Sequence, residues 1–153
     1  MRRRVRAVAR LGVVAWALTW IVNRSLRRVD GNSMRPTLTA GDLVLVVPAG
    51  LVGVRRGSVV VVPDPRDPTR RTIKRVAGVA GDRLEVAGRS LVAGAGQLVV
   101  LGDDPDASTD SRVYGPVATA DVRAVAVAAL RPWRRLPAAP QPVATPARRR
   151  PPG

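Results

Sequence analysis

Cysteine, histidine and phenylalanine are absent from this chain, and lysine occurs once. Without Cys there is no disulfide and no thiol nucleophile, and thiols say nothing of the redox compartment. Without Cys and His the usual zinc ligand sets are excluded, and so is a Ser-His-Asp triad. A hydrolase built from this chain must draw its base from Lys, Asp or Glu. Aromatics are scarce at 3%, three Trp and one Tyr. No stacking platform, helix-turn-helix or zinc-finger spacing accompanies the net charge of +15, so no nucleic-acid partner is expected. The Arg clusters sit mainly at the ends, at Arg2, Arg3, Arg4, Arg6 and Arg10 and again at Arg148, Arg149 and Arg150.

What is present is 46% apolar, mostly Val, Ala and Leu. β-branched runs cut by turns suit strands better than helices. The segments "DLVLVV", "SVVVVP", "RTIKRVAGV", "DRLEVAG", "SLVAG", "QLVVLG" and "DVRAVAVAAL" each read as a strand. Gly-Asp pairs punctuate them at Gly41-Asp42, Gly81-Asp82 and Gly102-Asp103. The expected fold is mostly β, a compact antiparallel sheet or barrel over residues 29–136. Residues 1–28 carry a charge-free run of 13 residues, Leu11 to Asn23, between basic flanks. As a helix this run covers about 20 Å, and Ala7–Ala9 bring it to about 25 Å against a hydrocarbon core of roughly 30 Å. Trp16 and Trp20 suit a membrane interface. An uncleaved N-terminal membrane-anchor helix is the expectation, with membrane lipid as a partner. Residues 137–153, rich in Pro, Ala and Arg, read as a disordered tail.

The single lysine, Lys74, stands among 25 arginines. A guanidinium cannot lose its proton in a protein, whereas an ammonium can. Lys74 falls on a predicted strand, with Thr72 and Val76 on its face. Ser33 lies in a turn framed by Gly31-Asn32 and Met34, with Pro36 beyond. A third stretch, "GDDPDASTDSRVYGPV", packs Asp103, Asp104, Asp106 and Asp110 among Ser108, Thr109, Ser111 and Arg112. Read alone, it is an acidic loop or a calcium loop, although its spacing is not that of an EF-hand. Asp110 and Arg112 can equally form an ion pair.

Taken in order, "GNSMRPTLTAGD", "IKRVAGVAGD" and "GDDPDASTDSR" resemble the motifs of bacterial type I signal peptidases, membrane-bound serine-lysine proteases. The resemblance covers about residues 29–133 and extends to the smaller maturation proteases of that superfamily, including those that process a nickel superoxide dismutase precursor. It implies a signal-peptidase type of β-domain, Ser33 as nucleophile, Lys74 as general base and Ser108 as the residue that orients the lysine. It implies the Ser33 backbone N–H as one oxyanion donor. The second is left open, because some members use a serine hydroxyl where this chain has Gly31. Asp103, Asp110 and Arg112 are implied as structural support, and Met34 as a residue near the substrate cleft. No metal and no cofactor are implied. The implied substrates are secretory preproteins cut after small residues, by a single-pass protein of the cell membrane with its catalytic domain on the extracytoplasmic side. Asp104 departs from the family's usual Asn and Ala80 from its frequent Pro. Self-cleaving repressor-type peptidases share two of the motifs but normally carry a DNA-binding domain ahead of the dyad, for which residues 1–28 are too few and too apolar. A dedicated maturation protease and a catalytically inactive, membrane-tethered binding module are the other readings.

Overall fold

The Val-rich runs form strands where alternation and turn residues direct them. The structure is a computed structural model that describes residues 25–136 apart from 132. Ten strands are described: β1 (Leu26–Arg28), β2 (Leu43–Pro48), β3 (Val59–Asp64), β4 (Asp67–Gly78), β5 (Arg83–Val86), β6 (Arg89–Val92), β7 (Gln97–Leu101), β8 (Val117–Ala118), β9 (Ala124–Arg131) and β10 (Trp133–Arg135). Eight of them form one sheet in the order β1-β2-β9-β3-β4-β7-β8, with β10 on β9, while β5 and β6 pair as a separate hairpin. Every strand pair is antiparallel. The mostly β expectation therefore holds: beyond a helical Ser25 at the start of the described residues, the helical segments described are single turns at Ala49–Val52 and Ser111–Tyr114 and a 3-10 turn at Thr119–Asp121.

Two of the expectations meet the edge of what is described. The membrane-anchor run and the Pro/Arg-rich tail lie outside the described residues, among which no helix is long and apolar enough to cross a membrane. Leu26–Arg28, counted on sequence with the anchor, instead pairs with Leu45–Leu43 as β1 and belongs to the sheet.

Burial follows the period of two along the strands. Val59 and Val61 join Val29, Met34, Leu38, Val44, Val46, Ala126 and Ala129 in one core cluster. Val60 and Val62 join Val76, Leu98, Val100, Val122 and Val125 in another. Strand β3 is thus covered on both faces, which explains its uninterrupted valines. A third cluster, Leu91, Ala93 and Val99, seats the β5–β6 hairpin.

One turn occurs four times among the described residues: in Arg55-Arg56-Gly57-Ser58, Ser58 N–H donates to Arg55 O at 3.0 Å, Gly57 sits at φ 85° and Ser58 Oγ accepts from Arg55 N–H at 3.2 Å, and three further stretches repeat it. In Thr39-Ala40-Gly41-Asp42, Val79-Ala80-Gly81-Asp82 and Gly94-Ala95-Gly96-Gln97 the fourth N–H donates to the first carbonyl, at 3.1, 2.9 and 3.0 Å. The third residue is a glycine at φ 93°, 90° and 69°, as a type II turn requires. Each time the fourth side chain accepts from the first N–H: Asp42 at 3.0 Å, Asp82 at 2.7 Å and Gln97 at 3.0 Å. Ala80 occupies the second position, where proline is favoured by geometry but not required. Replacing the family's Pro there leaves the turn intact.

Candidate active site

Lys74 sits on β4 opposite Val60 of β3. Its strand face carries Val76, and the paired face carries Val60 and Val62, all at most 1% exposed. The strand therefore drives Lys74 into an apolar wall, and only 3% of the residue remains exposed. Burial pushes its ammonium below the ordinary value, and the negative charge of Asp110 opposes that shift. Such a lysine gains from losing its proton.

Ser33 arrives from a tight loop. Arg35 N–H donates to Asn32 O at 3.0 Å and Leu38 N–H to Met34 O at 2.8 Å. The loop is fastened by Met34 and Leu38, which plunge into the core. Lys74 Nζ donates to Ser33 Oγ at 3.0 Å. With a neutral amine the same contact runs in the other sense, the hydroxyl donating to the nitrogen lone pair. Two residues separated by 41 positions in sequence are thus brought within proton-transfer reach.

The third stretch locks this pair in place through the backbone. Asp104 N–H donates to Ser33 O at 3.0 Å. Gly102 packs so closely that a Cβ on it would lie 2.6 Å from Ser33 O and closer still to Ser108 Oγ. Only glycine fits there. Ser108 Oγ donates to Asp110 Oδ2 at 2.7 Å. Asp110 is fully buried and also accepts from Gly102 N–H at 2.8 Å, Arg112 N–H at 3.1 Å and Arg112 Nε at 2.8 Å. Burial alone would raise the Asp110 carboxyl, but the bonds from Arg112, Gly102 and Ser108 outweigh it and hold the group below the usual carboxylate value.

The sequence-predicted residues divide accordingly. Ser33 and Lys74 meet directly. Asp110 and Arg112 form their ion pair. Ser108 bonds to Asp110, and its approach to the nucleophile loop runs past Gly102. Asp103 pairs with Arg75, whose Nε and Nη2 reach its two oxygens at 2.8 and 2.6 Å. Gly31 is exposed at φ 94° and bends the chain just ahead of Ser33. Met34 is 1% exposed and packs in the core cluster, which anchors the loop beside the half-buried Ser33. The calcium reading gives way. Asp103 turns to Arg75, Asp110 to Arg112, and Asp104 accepts from the N–H groups of Asp106 and Ala107, both at 3.2 Å.

Three supporting residues escaped the sequence reading. Arg75 is 7% exposed and ties Asp103 to Gly57 O at 3.1 Å and Thr37 Oγ1 at 3.2 Å. Its place next to Lys74 on a strand put it on the opposite face, which was visible, but its partners are distant in sequence. Gly102 looked like an ordinary turn glycine. Tyr114 packs against the Val60–Val62 cluster, and burial pushes its phenol up to about 12.

Residues 1–95 match the family model described as signal peptidase, peptidase S26. That span includes Ser33 and Lys74 but ends before the stretch that holds Ser108 and Asp110. The chain is 42% identical over 106 residues to the mitochondrial ATP-independent inner membrane protease subunit 1a of Arabidopsis thaliana, covering 61% of this chain and 62% of that protein. It is 35% identical over 97 residues to mitochondrial inner membrane protease subunit 1 of Mus musculus, at 58% of each chain. Subunit 2 of the same species is 34% identical over 122 residues, covering 71% of this chain and 70% of that one. The chain thus spans about three fifths of the length of the first two of these relatives.

Proposed function

Because this chain belongs to the signal peptidase, peptidase S26 family, we propose that it is a membrane-anchored serine endopeptidase that removes signal peptides from secreted preproteins with a Ser33–Lys74 dyad. The observation that carries the reading is the 3.0 Å contact between Ser33 Oγ and a lysine amine held in an apolar wall. Neutral Lys74 takes the Ser33 proton as Oγ attacks the scissile carbonyl. The Ser33 backbone N–H faces the developing oxyanion, and the second donor is not assigned. Lys74 returns the proton to the leaving amine, which departs as the acyl-enzyme forms. A water then gives its proton to Lys74 and attacks the ester carbon, and as the tetrahedral intermediate collapses Lys74 passes that proton to the departing Ser33 Oγ, which frees the new C-terminus and restores the Ser33 hydroxyl and the neutral amine.

Ser108 serves as the positioning residue for the lysine. Its hydroxyl hydrogen is engaged by Asp110, which leaves its lone pairs to accept from the amine. Gly102, Arg75, Asp103 and Arg112 keep the two loops together. The reaction as written uses no cofactor. The substrate is read as an added strand, cut after an Ala-x-Ala-like segment.

The relatives are named as inner membrane proteases, which supports precursor processing at a membrane. The apolar run from Leu11 to Asn23 ends ten residues ahead of Ser33. Ten extended residues reach at most about 36 Å, so an anchor there keeps the dyad near the bilayer, on its extracytoplasmic side. Purified full-length protein incubated with a panel of preproteins tests the reading. New N-termini directly after small residues bordering the apolar run support it. Intact preproteins throughout the panel overturn it.

A further inference from the structure

A groove of about 480 Å³ opens between the two chain segments that lead into the dyad. One wall is Arg27, Arg28 and Asp30, which run toward Ser33, and the other is Arg70, Arg71, Thr72 and Ile73, which run into Lys74. Both walls are free strand edges among the described residues. β1 ends the sheet order and pairs only with β2. β4 meets β7 only from Arg75 onward, so its Arg70–Lys74 stretch has no strand on that side. Both walls end next to the dyad in the chain, Asp30 three positions before Ser33 and Ile73 adjacent to Lys74, and both offer main-chain partners to a peptide laid between them.

The groove is charged, not apolar. It holds five arginines, the fifth being Arg66, against two aspartates. Of these carboxylates Asp64 is already held by Arg66 at 3.4 Å. Arg28, Arg70 and Arg71 form no ion pair among the described residues, and all three are exposed. A second groove of about 360 Å³ shares Arg27 and Arg71 and adds Arg123, so the positive lining continues away from the dyad.

We propose that this arginine-lined groove selects peptide segments carrying acidic side chains close to the scissile bond. The inference rests on the protease reading and adds a charge preference to it. Exposed pairs are weak singly, but two or three acting on one peptide amount to about a three- to tenfold preference, reduced by salt.

The test uses the full-length chain in detergent and three quenched peptides that share one cut site and differ only in flanking Glu, Gln or Lys. For the wild-type chain kcat/KM falls in the order Glu, Gln, Lys. The double variant Arg70→Glu, Arg71→Glu reverses the Glu-to-Lys ratio. Arg28→Glu, on the opposite wall, moves that ratio the same way and guards against misfolding of the double variant. Equal rates for the three peptides overturn the inference while leaving the protease reading standing. No cleavage of any peptide overturns both. Equal rates joined to weaker binding of the charge-reversed chains to anionic phospholipid vesicles assign the arginines to the membrane and also overturn it.

Discussion

Lys74 illustrates how one side chain's surroundings define its chemistry. It shares its strand face with Val76, pairs with Val60 and is only 3% exposed, so burial holds its folded value below that of a free lysine. Between the folded and unfolded values the unfolded chain holds the extra proton, so stability rises with pH across that window and is lowest below the folded value. Activity moves the same way, since only the neutral amine accepts a proton. The acid limb of kcat/KM against pH is therefore expected below the ordinary lysine value of 10.5, and a limb at or above it contradicts the role. Lys74→Arg keeps the charge and cannot deprotonate, so its rate should match that of Lys74→Ala. Gly102 gives a second residue-scale prediction. Gly102→Ala must displace Ser33 O or Ser108, and its kcat should drop at least about tenfold, as a misplacement near 1 Å entails. Unchanged turnover in a folded Gly102→Ala chain would show that the two loops move apart without consequence. The importance of Lys74 was legible because it stands alone among arginines. That of Gly102 was not, because its crowding comes from Ser33, far along the chain, and from the folding back of the loop that carries Ser108.

At the scale of elements, the seven long strands were readable from alternation and from the Gly-Asp breaks. The strands that escaped, β1, β8 and β10, are only two or three residues long, too short to show a period. They exist because a longer neighbour offers unpaired backbone groups. The recurring turn was half legible: Gly41 and Gly81 stood out as breaks, but the fourth side chain's bond back to the first N–H appears only in three dimensions. Losing that bond leaves an N–H without its acceptor, at a cost of about 1–2 kcal/mol. Asp82→Ala should therefore lower the thermal midpoint by several degrees, measured by circular dichroism. Gly81→Ala should do the same through its φ of 90°. Neither should change cleavage by a chain that remains folded. A midpoint unmoved in both variants would mean the turn follows its strands and does not help to hold them.

Across the whole molecule, the β-domain brings three distant stretches to one end of a sheet. Residues 31–38, 72–76 and 102–112 meet there, held by Ser33–Lys74, Arg75–Asp103 and Asp104–Ser33 contacts. Their order was legible through resemblance to a family, whereas the arginine walls of the adjoining groove were not, because no single stretch of sequence contains both. The apolar run at residues 11–23 is expected to keep the protein in membranes through an alkaline carbonate wash, and release by that wash would assign membrane binding to the basic flanks. The dyad itself remains the centre of the account. Its most direct test is the rate of preprotein cleavage by the full-length chain beside that of Ser33→Ala, with folding of both checked by circular dichroism. The predicted result is a loss of at least about a thousandfold in a chain that stays folded. Cleavage by folded Ser33→Ala at a rate near that of the parent would contradict it.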